Sequence, residues 1–89
     1  MTPESAQLLA IRALGNLAGD EEQLVRFMAL TGVAPEDMRS AAEDPSFLSG
    51  VLDFYLGDEA ALLAFAASAQ IEPSDVPVAR EVLSRHDSE

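Results

Sequence analysis

The 89 residues contain no cysteine and no lysine; there is one histidine, and all five basic residues are arginine. Without thiols, disulfide staples, thiolate metal sites and cysteine nucleophiles are excluded together. Without lysine, and with the lone His86 only three residues before Glu89, covalent and general-base mechanisms have few players. His86 reads instead as a cation near a helix C-terminus, beside Arg85, and the expectation is a protein that is not an enzyme and holds no cofactor or metal. Long apolar runs are missing too. The longest uncharged apolar stretch, Ala60 to Ile71, falls well short of the ~20 residues that span a bilayer. The opening Met1-Thr2-Pro3-Glu4 carries no basic segment followed by an apolar one, so no targeting signal is read there. The expected location is the cytoplasm.

Scarce bases set against 16 acids give a net charge of −11. Such a field repels phosphate backbones and anionic membranes, leaving open basic protein partners or simply a solubility role. What the chain does have is apolar content: 48% hydrophobic residues, with four Phe and one Tyr. That suffices for a globular core and is too much for a disordered chain. The length fits one domain, residues 1–89, which buries only about 60–65% of its unfolded surface and so needs good packing.

The chain is organised around a doubled unit. From Gly19 it reads G-D-E-x-x-L-x-x-F-x-A, then Val33-x-Pro35-x-Asp37; from Gly57 the same pattern returns, then Ile71-x-Pro73-x-Asp75. At an offset of 38, Leu14, Gly19, Asp20, Glu21, Leu24, Phe27, Ala29, Pro35, Asp37, Ala41 and Glu43 all recur identically. Two pseudo-repeats of three helices follow, about 2–43 and 44–86. A period of 38 belongs among helical repeats, but neither copy carries the tetratricopeptide or ankyrin pattern, and solenoids need at least three copies. The predicted fold is therefore all-α: a compact bundle of about six helices, the copies closing on each other.

Each helix start has its own signal. Thr2 caps the first helix, with Pro3 at its first position, and Ala6, Leu9, Ala10, Ala13, Leu14 and Leu17 form its apolar face. Gly19 ends it in the left-handed conformation; Asp20 caps the second helix, and Gln23 completes a reciprocal capping box. Gly32 ends the second. A short third helix opens at Pro35, with the Asp37 carboxylate reaching back to a free amide, and runs to Asp44-Pro45. Asp44 caps the fourth helix, whose apolar arc of roughly 200° suggests enclosure on more than one side. The fifth, Glu59 to Ala69, is apolar all round and is expected at the centre of the molecule. For the last, Pro77 requires either a 3₁₀ or kinked first turn or a regular helix starting near Val76; Asp87, Ser88 and Glu89 are expected to fray. The core should set Leu14, Leu24, Phe27 and Val33 against Leu52, Leu62, Phe65 and Ile71.

The acidic clusters at Asp20-Glu21-Glu22 and Asp58-Glu59 have the composition of metal ligands or an acid/base pair. Yet ten acids (Glu4, Asp20, Glu21, Glu22, Glu36, Asp37, Asp44, Asp58, Glu59 and Asp75) fall at predicted helix starts, where caps and the macrodipole account for them. No calcium or zinc motif is present. Glu22–Arg26, Glu81–Arg85 and Glu36–Arg39 have helical pair spacing. Arg12 and Arg80 lack such partners, and Phe54 and Leu56 lie at the edges of the fourth helix's apolar arc. These four residues are the candidate partner-binding positions.

The stretches L-A-I-R-A-L-G-N-L-A-G-D-E-E-Q-L-V-R-F-M-A-L-T-G-V-A-P-E-D-M-R (9–39) and D-P-S-F-L-S-G-V-L-D-F-Y-L-G-D-E (44–59) resemble a small bacterial family of unknown function, DUF3572, found mainly in alphaproteobacteria. The resemblance runs from Leu8 to about Leu83 and rests on caps, hinges and core positions. It implies the fold and a cytoplasmic bacterial origin, and brings no catalytic motif. Its proximity to signalling response regulators favours an interaction role. The function expected is thus a small acidic interaction or regulatory adaptor module with an unidentified protein partner, basic or signalling-related. Two alternatives stand beside it: an acidic decoy of nucleic acid that occupies a basic protein, and a small-ligand binder or carboxylate-based enzyme with an enclosed pocket holding two carboxylates away from the caps.

Overall fold

Local capping chemistry divides the chain. In the computed structural model, which describes residues 1–87, α1 runs Pro3–Ala18, α2 Glu21–Thr31, a 3₁₀ turn Pro35–Asp37, α3 Met38–Ala41, α4 Pro45–Leu56, α5 Glu59–Ala69 and α6 Asp75–Asp87. The side chains of His86 and Asp87, and all of Ser88 and Glu89, lie outside the described residues, and with them the expectations for a His86 cation and a frayed end. Among the described residues there is no strand, and the fold is all-α.

Thr2 Oγ1 accepts from Ser5 N–H, Asp20 from Glu22 and Gln23, Asp44 from Ser46, and Asp58 from Ala61. Each closes a helix start of otherwise unpaired amides. Positions 38 apart share this geometry: Asp20 and Asp58 are extended N-caps, and Gly32 and Gln70 both take positive φ, 76° and 58°. At Gly32 glycine meets the left-handed requirement without steric cost.

Three local expectations are corrected. Gly19 is right-handed (φ −81°), as is Gly57 (φ −86°). The helix instead tightens its last turn, with Asp20 N–H donating to Leu17 O at 3.1 Å. That bond already satisfies the amide that Gln23 was expected to reach, so the reciprocal half of the capping box is unmade and Gln23 Oε1 is buried without a partner. The third helix is shorter than expected, a 3₁₀ turn and a four-residue helix ending at Ala41, and the Asp37 side chain caps neither piece. Pro77 is accommodated because it occupies the third position of α6, inside the first turn, where an N–H has no helical partner. A turn bonded from Asp75 N–H to Glu72 O, 2.9 Å, leads into it.

Packing puts α4, not α5, at the centre. α4 lies against α6 along its most extensive interface and also meets α1 and α5; α6 lies against α1 as well. Leu48, Val51, Leu52, Phe54 and Tyr55 of α4 are buried, as are Val76, Ala79, Val82 and Leu83 of α6. α5 sits to the side: only Ala61, Phe65 and Ala66 are buried, and Leu63 is 48% exposed. Its uniform apolar character comes from alanines, whose small side chains expose little area when left in water. Of the expected core, Leu14, Phe27, Leu52 and Phe65 are buried, while Leu24, Val33, Leu62 and Ile71 are partly buried against it.

All five aromatic rings form one chain of contacts. Phe27 meets Phe47 and Phe54 edge-on at 5.7 Å, Phe54 meets Tyr55 at 5.8 Å, and Tyr55 meets Phe65 at 5.2 Å. This ties both α2 and α5 to α4, in geometries worth about 0.5–1.5 kcal/mol per pair beyond area burial. The radius of gyration, 11.9 Å, matches the ~12 Å expected for this length. The shortest dimension is 18 Å, about two helix layers.

One buried group is unpaired within α4: Ser49 Oγ has no hydrogen-bond partner. Ser49→Ala removes an unsatisfied hydroxyl and improves helix propensity. It is expected to raise stability by roughly 0.5–1.5 kcal/mol, checked by urea denaturation; a loss of stability would mean that the hydroxyl is satisfied, for instance by an internal water.

Candidate functional site

The four residues singled out from sequence are not gathered in one place. Arg12 donates to Ala69 O, the last residue of α5, at 3.3 Å. Arg80 grips Asp53 of α4 with two nitrogens, 2.8 and 3.3 Å, and reaches Ser84 Oγ at 2.8 Å. The carboxylate holds the Arg80 guanidinium above its ordinary pKa, chiefly through the hydrogen bond. Both arginines therefore have intramolecular partners, on helices that local spacing does not reach. Phe54 is buried, its ring facing Phe27 with the Arg26 guanidinium 5.5 Å above it. Leu56, at the end of α4, is exposed.

The ion pairs also fall elsewhere than the helical spacing suggested. Among the described residues they join Arg26 to Asp58, 3.3 Å, and Arg80 to Asp53. Arg26 reaches the α5 cap rather than Glu22 because that position adds a cation–π contact to the ion pair, against a few tenths of a kcal/mol for an exposed i,i+4 pair.

At the helix starts, the Asp20, Asp44 and Asp58 carboxylates accept from backbone amides, as described above. Among the described residues no group of three or more His, Cys, Asp or Glu side chains is placed to hold a metal ion. One depression contains two carboxylates, Glu21 and Glu22; it is open and lies on the first turn of α2 with Val25 and Arg26.

What sequence reasoning missed is the outer side of α1. Its inner face is covered by α4 and α6. On the opposite side Leu8 is 62% and Ile11 46% exposed, and Gly15 and Ala18 are exposed too. These four fall at i, i+3, i+7 and i+10, the spacing of one helical line. Arg12, turned toward α5, is the only charged residue between Ser5 and Ala18. Beside the line runs an open groove of ≈ 560 Å³, walled by Ile11, Leu14, Gly15 and Ala18 of α1, Leu24 of α2, and Pro35, Met38 and Arg39 of the short third segment. On the other flank of Leu8 a smaller depression of ≈ 270 Å³ includes Leu9, Arg12 and Ile71. The signal was present in the sequence as a second apolar line beneath a stronger inner one.

Among the described residues no helix is long and apolar enough to cross a membrane. The model of the family described as "Protein of unknown function (DUF3572)" matches residues 3–86. No curated protein and no solved structure matches the chain.

Proposed function

Since the chain belongs to the DUF3572 family, whose description carries no activity, we propose from its surface that it is a non-catalytic protein–protein interaction module acting in the cytoplasm, and that a partner docks along the outer face of α1. One observation carries this reading: the uncharged line of Leu8, Ile11, Gly15 and Ala18 beside an apolar groove, on a molecule whose net charge is −11. Charge keeps most of such a surface hydrated, so a contiguous apolar strip is where association gains from leaving water. The groove follows α1 from Ile11 to Ala18, about 10 Å, and Leu8 extends the apolar line one turn further. That shape suits an element of secondary structure laid alongside, as in helix-in-groove recognition.

The carboxylates support the non-catalytic part. Asp20, Asp44 and Asp58 spend their lone pairs on helix-start amides, so their chemistry serves folding.

The test is site-specific photo-crosslinking in the source cells. A benzophenone side chain at Ile11 is expected to yield one defined protein adduct, identified by mass spectrometry. The same probe at Glu81 of α6, exposed on another helix, should not give it, and Leu8→Lys should abolish it. Equal adducts from both positions, or insensitivity to Leu8→Lys, would overturn the reading.

A further inference from the structure

We infer that the occupant of the α1 groove is a basic-flanked amphipathic helix of another protein, seating a bulky apolar side chain over Gly15; this rests on the docking reading above. Three observations support it.

The first concerns glycine. Gly15 lies in the interior of α1, where glycine is less favourable than alanine by roughly 0.5–1 kcal/mol. Nothing in the fold requires it: a Cβ built there meets no atom within 4 Å, and its φ is not positive. Gly50 of α4 is equally unobstructed, but it lines none of the surface depressions described above. Gly15 instead lies between Ile11 and Ala18 on the groove wall. A missing side chain there lets a second helix approach closely, and interaxial distance is set by the side chains at the contact.

The second is charge. Glu4 heads the line that continues through Leu8 and Ile11 at i, i+4 and i+7. Glu36 and Asp37 stand exposed in the segment that supplies the opposite wall, between Pro35 and Met38, although neither lines the groove itself. Arg39 is the one base in the wall. The chain carries a net charge of −11, and the Arg12 that flanks the strip is held by Ala69 O. A strip with Glu4 at its head and exposed Glu36 and Asp37 beside one wall therefore favours a partner with an apolar face and basic flanks, since complementary charge steers encounter and rejects like-charged competitors.

The third disfavours a second copy as occupant. Apposing two chains of −11 each brings like fields together, a repulsion felt most strongly at low salt.

The experiment selects a displayed library of helical peptides, each about 18 residues or five turns, on the full-length protein. Enriched peptides are expected to show apolar residues at i, i+3/i+4 and i+7 with a net positive charge. Their affinity should fall about tenfold or more on Gly15→Trp and on Ile11→Lys, the size of a hot-spot loss. Both positions face solvent, so neither variant should melt below the wild type, and Gly15→Trp should melt slightly higher because it removes a mid-helix glycine; Gly15→Leu serves as a milder obstruction if the tryptophan disturbs folding. Enriched peptides that are neutral or acidic but still blocked at Gly15 would sink the basic partner while leaving the docking face standing. Peptides indifferent to all three substitutions, an empty selection, or self-association of the chain through Ile11 in sedimentation would overturn the inference outright. Continued crosslinking at Ile11 alongside an empty selection would show that only the partner's chemistry had been misassigned.

Discussion

Tyr55→Ala is expected to lower stability by about 3–5 kcal/mol, the cost of truncating a fully buried aromatic. A domain of this length holds only about 5–13 kcal/mol in total, so the variant should be largely unfolded at 37 °C. Tyr55 is wholly inaccessible to solvent and touches both Phe54 and Phe65. Its hydroxyl donates to Ala13 O at 3.1 Å and accepts from Asn16 Nδ2 at 2.9 Å, both on α1. One side chain thus joins α1 to α4. Tyr55→Phe keeps the ring and strands the Asn16 amide, and should cost roughly 1–2 kcal/mol. Adding Asn16→Ala to it should recover part of that loss, since the orphaned donor goes too.

The same phenol gives stability a pH dependence. Burial, reinforced by the charge of Asp20 and opposed by the Asn16 hydrogen bond, raises its pKa above the ordinary 10.0. As pH rises the unfolded chain loses its proton first. The contribution is therefore complete below about pH 10 and declines as pH climbs through the folded value. Melting temperatures measured across that range should fall for the wild type and lose this component in Tyr55→Phe. An unchanged alkaline limb in the variant would assign the decline to other groups.

Residues 1–43 expressed alone are expected not to fold. The reason lies in what covers α1. Ala6, Leu9, Ala10, Ala13, Leu14 and Leu17 are buried, but chiefly by α4 and α6, which lie beyond residue 43. Removing that cover leaves a 16-residue and an 11-residue helix joined by a hinge, near or below the length at which isolated helices are stable in water. Circular dichroism should show most of the helix lost, and the amide spectrum of the fragment should collapse to random-coil dispersion. Mixing it with residues 44–89 should restore both. Cooperative unfolding of the fragment alone would show that each pseudo-repeat carries its own core.

That fragment argument also shows how far the sequence could be read. Caps were legible because their energetics are local: Asp20, Asp44 and Asp58 act on amides two or three residues away. Gly32 was legible for the same reason. The position of α5 was not, because a hydrophobicity scale treats an alanine-rich helix as core while packing rewards large side chains such as Leu48, Leu52 and Leu83. Nor were the arginine partners. Asp53–Arg80 and Asp58–Arg26 join residues 27 and 32 positions apart, and no spacing rule reaches across helices. The docking face was hidden differently: Leu8 and Ile11 look like more of the core until the neighbours of α1 are known to cover only one side.

Because Tyr55 is the only tyrosine and there is no tryptophan, the near-ultraviolet signal of the whole molecule is dominated by one chromophore at the junction of α1, α4 and α5. Its emission and dichroic bands are a built-in, label-free gauge of whether that junction is closed. Any ligand drawn to the outer side of α1 can then be followed through its own tryptophan, against an almost dark background.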